Sequence, residues 1–109
     1  MAYAYKVLGQ SAPSATTNTD VYTVGSGKQA IISTITVANR SATGRSYRIA
    51  IRPAGATLAN QHYVAYDVAI PANDTTALTL GVTLNATDVV TVYASTADLS
   101  FGIFGTEIS

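Results

Sequence analysis

Few residues in this chain are equipped for chemistry. It has one histidine, His62, and no cysteine among 109 residues. No thiolate site can form, and His62 has neither a cysteine nor a second histidine to complete a metal set. Catalysis by His62 would need convergent partners, and no serine stands in a G-x-S-x-G context, so a loop or strand-edge histidine is the better reading. Asp20, Asp74, Asp88 and Asp98 fall where strands begin or turns close, positions at which aspartate bonds neighbouring backbone amides. None has the Asp-x-Asn-x-Asp spacing of a calcium loop. Asp67 alone alternates within a strand, where it could meet Arg48 or Arg52 across a sheet. Gly25-Ser26-Gly27-Lys28 lacks the G-x-x-x-x-G-K-[ST] spacing of a phosphate loop and leads into a strand; a hairpin turn is sufficient. The expectation is a non-enzymatic protein without cofactor or metal.

Arg40, Arg45, Arg48 and Arg52 cluster in one third of the sequence, and Arg48 and Arg52 share a strand face. Nucleic-acid binders are usually net basic, whereas six basic and six acidic residues cancel here. A protein interface, which favours arginine over lysine, fits the cluster better. The N-x-[ST] triplets at Asn39, Asn73 and Asn85 read as turn chemistry in a chain so rich in Ser and Thr.

These residues are carried by strands. The block Val21–Arg40 pairs a short β-type run, Val21–Val24, with a long strand from Gln29 to about Asn39. Its period of two puts Ile31, Ser33, Ile35 and Val37 on one face, which makes Ile31, Ile35 and Val37 the expected core anchors of a central strand. Further strands are expected at Tyr3–Leu8, Ser46–Arg52, His62–Ile70, Thr75–Leu84, Asp88–Ala94 and Leu99–Ile108. Gly81 marks a bend in Thr75–Leu84. The stretch Gly9–Thr19 has loop chemistry, suited to a flexible arm or a crossover, and Pro53–Asn60 is too long for a tight hairpin, which suits a crossover between sheets or an exposed contact loop. About eight strands with turns every 8–12 residues predict one all-β domain over residues 1–109, an antiparallel β-sandwich of jelly-roll or immunoglobulin-like type.

Bulk composition adds a statement about surfaces. Hydrophobic residues make up 48% of the chain, ample for a single core. Charged residues make up only 11%, against about 25% in typical soluble domains. With zero net charge, such a surface favours association, and Lys6 and Lys28 are the only lysines available to guard sheet edges. No apolar run reaches the length of about 18 residues that a membrane span needs. The N-terminal MAYAYKVLGQ lacks a signal-peptide pattern, which predicts synthesis in a cytoplasm without export by that route.

The block Val21–Arg40, together with YRIAIRPAGATLANQHYVAYDVAIPANDT and the closing TLNATDVVTVYASTADLSFGIFGTEIS, resembles small virion structural proteins of tailed bacteriophages, cyanophages among them, over almost the full chain. The shared pattern is a Tyr-Thr-Val strand, a Gly-Lys turn, a long Ile/Val/Thr strand ending in Val-Ala-Asn-Arg, and an Arg-Pro loop. Those proteins often carry Pro-Ala where this chain has Gly25-Ser26. The resemblance implies a virion component made in a host bacterial cytoplasm: a capsid decoration (cement) protein, or a tail, neck or fibre accessory. Its implied partners are itself, as a homotrimer or other ring, and the major capsid protein or tail and neck proteins, with no nucleic acid and no membrane. Candidate interface residues are then Arg40, Arg45, Arg48, Arg52, Pro53, Leu58, Tyr63 and Tyr66, with the Gly9–Thr19 segment beside them. A carbohydrate-binding module for host attachment is the remaining reading, with Tyr3, Tyr5, Tyr63 or Tyr66 as stacking residues.

Overall fold

The computed structural model describes residues 2–109. Nine strands run through it: β1 (Tyr3–Ser11), β2 (Thr19–Thr23), β3 (Gln29–Asn39), β4 (Arg45–Arg52), β5 (Tyr63–Ile70), β6 (Thr75–Leu78), β7 (Val82–Leu84), β8 (Val89–Ala94) and β9 (Leu99–Ile108). Two short 3-10 turns, Pro53–Gly55 and Asn60–His62, occupy the loop between β4 and β5. The expected antiparallel all-β sandwich forms. Sheet A has the order β1-β9-β3-β6, with β7 also on β3, and sheet B has the order β2-β8-β4-β5.

The order follows from one long ribbon folded at the β4–β5 loop. Going outward from that loop, the ladders are β4–β5, β3 with β6 and β7, β2–β8, and β1–β9, all antiparallel. Successive ladders alternate between sheets, and the β3–β9 and β4–β8 ladders seal each sheet. With β6 and β7 taken as one strand interrupted at Gly81 (φ +61°), this wrapping is a jelly roll; the immunoglobulin order is excluded.

Between the sheets lie Ile35 and Val37 of β3, Tyr47 and Ile49 of β4, Val90 and Val92 of β8, and Leu99, Phe101 and Ile103 of β9, all buried. Each such aliphatic side chain contributes about 1.5–3 kcal/mol on leaving water. Tyr47 meets Phe101 edge to face, with ring centroids 6.2 Å apart.

Ile31 does not belong to this core; it is 42% exposed, whereas Ala30 and Ile32 are buried. The register between β3 and β9 slips at Ser33, between Ile32↔Gly105 and Thr34↔Phe104. That β-bulge inverts the inward phase, from even residues before it to odd residues after it. The Ser33 hydroxyl caps the irregularity by donating to Phe104 O (3.1 Å). Gly105 is required opposite the bulge, because a Cβ there would collide with the Ile31 carbonyl. β5 has a comparable slip. Asp67 adopts φ +49°, and the pairings on its two sides are Tyr47↔Val68 and Ile49↔Ala65, so Val64 and Tyr66 are exposed while Ile70 is buried.

The connections also differ from expectation. Gly25–Lys28 does form a turn, with the Lys28 N–H donating to Gly25 O (3.1 Å). Yet β2 and β3 lie in different sheets, so the turn is a crossover and not a hairpin. Buried Val24 leads into it and ties to the opposite loop through Val24 N–H to Asp88 O (3.0 Å) and Thr87 N–H to Val24 O (2.9 Å). In the Gly9–Thr19 stretch, Gly9–Ser11 belong to β1 and Thr19 to β2. The intervening residues carry the chain between sheets, with Pro13 buried and the Thr16 N–H bonded to Ala94 O (2.8 Å). Pro53–Asn60 closes the β4–β5 pair within sheet B.

Candidate functional site

The outer face of sheet B carries the arginine cluster. Outward positions of β4 hold Arg48 and Arg52, and Tyr93 of β8 lies directly opposite Arg48. The Arg48 guanidinium donates to both Asp67 oxygens, from Nε at 2.6 Å and Nη2 at 3.3 Å. It also lies over two rings, 4.2 Å from the Tyr66 centroid and 4.4 Å from that of Tyr93. The hydrogen bonds to Arg48 hold the Asp67 carboxyl below its usual range, so the cross-sheet pair expected from sequence forms. Tyr63 packs against Tyr66 edge to face at 4.8 Å, and with Asn60 the two line a shallow concavity.

Arg52 faces a second network. Its Nη2 donates to Asp20 Oδ1 (2.9 Å), its Nε to Thr91 Oγ1 (3.0 Å), and its Nη1 to Ala56 O (2.9 Å). Thr91 in turn donates to Asp20 (2.8 Å). Arg45, at the far end of β4, pairs with Asp98 (3.1 Å), whose carboxyl is held low by Thr96 and Arg45. The Arg40 guanidinium donates to Ala97 O (2.7 Å). The four arginines are therefore spread along β4 and the loop before it, each with its own acceptor, and they do not form one free basic stripe. Pro53 is exposed, Leu58 half-buried, and His62 buried with Nδ1 accepting from the Ala59 N–H (3.0 Å). Of the turn aspartates, Asp74 and Asp88 do bond nearby backbone N–H groups, at Thr75 and Asn85, whereas Asp20 and Asp98 serve arginines. Asn39 is more than turn chemistry: it is buried at the end of β3, and its amide donates to Thr43 O and Pro71 O while its oxygen accepts from Ser41.

Sheet A presents the opposite character. Its five strands contain just two charged residues, Lys6 and Glu107, and these pair with each other at 3.1 Å. Both project toward the gap between sheets, where Glu107 also accepts from the Tyr22 hydroxyl of β2 (2.8 Å) and from Lys28 (3.3 Å). The Tyr22 and Lys6 hydrogen bonds, with a further one from Lys28, hold the Glu107 carboxyl down at about 2. Burial, with the carboxylate beside it, pushes the Tyr22 hydroxyl well above its ordinary value. The outer face is left without charge. One row across it reads Tyr5, Thr106, Ile31, Thr83 and the next Val7, Phe104, Thr34. Tyr5 is 86% exposed and Val7 49%. The Phe104 ring lies over Gly102, where a Cβ would come within 2.8 Å of it. The alternation of Tyr3, Tyr5 and Val7 was visible in the sequence; the membership of Ile31 was hidden by the Ser33 bulge.

Among the described residues no group of three or more His, Cys, Asp or Glu side chains is placed to hold a metal. No helix there is long and apolar enough to cross a membrane. Comparison of the chain with protein-family models, with curated proteins and with solved structures returns no significant match.

Proposed function

We propose that this protein is a non-enzymatic structural component of a tailed-bacteriophage particle, a self-associating capsid decoration protein that stabilises the head. The observation that carries the reading is the outer face of sheet A, which has no charged side chain and exposes Tyr5, Val7 and Ile31. The face is uncharged and mixes these exposed apolar side chains with threonines, and exposed apolar groups gathered on one face are a mark of interaction sites. The resemblance in sequence supplies the particle. The jelly-roll wrapping adds no weight, since that fold serves many unrelated functions.

The charges support the same partner class. All six cations have acceptors within the chain: Lys6, Lys28, Arg45, Arg48 and Arg52 in ion pairs, Arg40 on a carbonyl. Phosphate neutralisation, the main source of nucleic-acid affinity, has no unengaged cation to draw on, so the partners proposed are proteins: this chain itself and the major capsid protein. Localisation by cryo-electron microscopy of intact particles tests the reading. The expected result is density at symmetric positions on the shell, with added protein raising the heat resistance of stripped heads. Density on the tail or neck would move the protein to an accessory role there, and its absence from particles would overturn the reading.

One observation favours a second reading, host attachment through carbohydrate: the concavity of Asn60, Tyr63 and Tyr66 joins aromatic rings to an amide. Arg48 already covers a face of Tyr66, which reduces the stacking surface. Glycan-array binding lost on Tyr63→Ala would support this reading over the first.

A further inference from the structure

The jelly roll leaves four sheet edges, and three carry features that block further pairing. At one edge of sheet A, β6 and β7 are only 4 and 3 residues long and are separated by the Gly81 bend. In sheet B, β2 is slipped between Asp20 and Tyr22 and carries the Asp20–Arg52 ion pair. β5 is kinked at Asp67 and rimmed by the Arg48–Asp67 pair. Short strands, bulges and charges are the ordinary protections of an edge. The fourth edge, β1, is neither short nor bulged over Tyr3–Val7, and Lys6 is the one charge that guards it. Its pairing with β9 is regular from Tyr3↔Ile108 to Val7↔Phe104, and its one charge, Lys6, is paired to Glu107.

The polarity of the ladder shows which groups this edge offers. Ala2 and Ser109 exchange both backbone bonds, Ala2 N–H to Ser109 O (2.7 Å) and Ser109 N–H to Ala2 O (2.9 Å). Antiparallel pairs alternate, so Ala4 and Lys6 also spend their N–H and C=O on β9, while those of Tyr5 and Val7 point out to the open side. Beyond Val7 the edge is closed, because Gly9 is pressed against the Val21 carbonyl, 2.5 Å from where a Cβ would stand.

We propose that this edge pairs with the same edge of a second copy, antiparallel about a two-fold axis at Tyr5. A two-fold contact uses one patch twice and must be self-complementary, and β1 meets that condition. With Tyr5 opposite Tyr5 of the second copy, the two residues exchange N–H···O bonds. Lys6 then falls opposite Ala4, so no like charges meet. The two A sheets become one, and their outer faces, which bear Tyr5, Val7 and Phe104 among threonines, join into one continuous uncharged surface. The pairing stands on the edge alone and holds whether or not the protein is part of a phage particle.

Sedimentation and native mass spectrometry of the full chain over a concentration series, with amide hydrogen exchange, test the pairing. The expected result is a concentration-dependent doubling of mass, with exchange at the Tyr5 and Val7 amides slowed in step with it. Tyr5→Lys sets two charges face to face and Tyr5→Pro removes the donated hydrogen without touching the β9 ladder; each is expected to hold the chain at the mass of one copy while its β-sheet circular dichroism stays unchanged. A wild-type chain of single-copy mass up to millimolar concentration would overturn the proposal. So would an oligomer in which the Tyr5 amide exchanges freely, or a dimer that survives Tyr5→Lys. Should either variant fail to fold, the wild-type exchange data decide.

Discussion

At the scale of single residues, the most consequential side chain is Glu107, an acid turned toward the gap between the sheets at the end where Lys6 and the Tyr22 hydroxyl meet it. Tyr22 reaches it from sheet B, and Lys6 and Lys28 reach it at one end of sheet A. Its folded-state carboxyl titrates at about 2, against an ordinary value of 4.5. A carboxyl depressed on folding contributes stability that is fully present above its unfolded value and is lost as pH falls through the folded one. The window is therefore pH 4.5 down to about 2. Thermal melts of wild type and Glu107→Gln should differ by a constant amount at neutral pH and converge on acidification through that window. A difference that stays flat there would refute the ion cluster. Asp67 and Asp98 are depressed in the same direction but stand half-exposed, where solvent screening weakens such pairs.

At the scale of the element, β3 shows how one extra residue redistributes a strand. Eleven residues with an Ile/Val/Thr alternation would bury one parity throughout; the bulge at Ser33 instead gives Ala30 and Ile32 to the core on one side, Ile35 and Val37 on the other. Ile31 is thereby turned to the outer face. Truncation separates the two environments. Ile35→Ala empties a fully buried site and should cost about 2–5 kcal/mol of unfolding free energy, whereas Ile31→Ala should cost less than about 1 kcal/mol, both read from denaturant melts. Equal losses would contradict the bulge. The arginines belong to this scale as well. They cluster in sequence, but β4 distributes Arg45, Arg48 and Arg52 over its length, and β2, β5 and the turn before β9 each bring an aspartate to meet one.

At the scale of the whole molecule, the folded ribbon makes nearly every ladder non-local. Among the seven strand pairings, only β4–β5 joins neighbours in the chain, and even that pair is separated by the 53–62 loop. Loop-closure entropy must be met before such contacts repay it, so refolding after dilution from denaturant should take milliseconds to seconds. Stopped-flow fluorescence of the tyrosines would measure it, and relaxation in microseconds would be inconsistent with this topology. The same wrapping sorts the surface. The ion pairs gather on the outside of sheet B and at the ends of the sandwich, and the uncharged surface is left to sheet A.

Much of this was legible from the amino acids alone. Alternation of period two, β-branched runs and turn residues mark out where the strands lie and the all-β sandwich, because a strand must bury one face whatever its neighbours are. The Arg48–Asp67 pair was likewise open to inference, since both residues face outward on consecutive strands. What only the tertiary structure decided is phase and partnership. The slips at Ser33 and Asp67 leave no compositional mark, as a bulge is stabilised by the partner strand, here by Gly105 opposite and the Ser33 hydroxyl on Phe104 O. Gly25–Lys28 reads as a hairpin locally, but the order of strands in two sheets makes it a crossover, and a four-residue turn cannot encode which sheet follows. Whether a cation is free or engaged depends on residues tens of positions away. The ion pairs tie the strands and loops of the sandwich to one another, and the outer face of sheet A is left without charge.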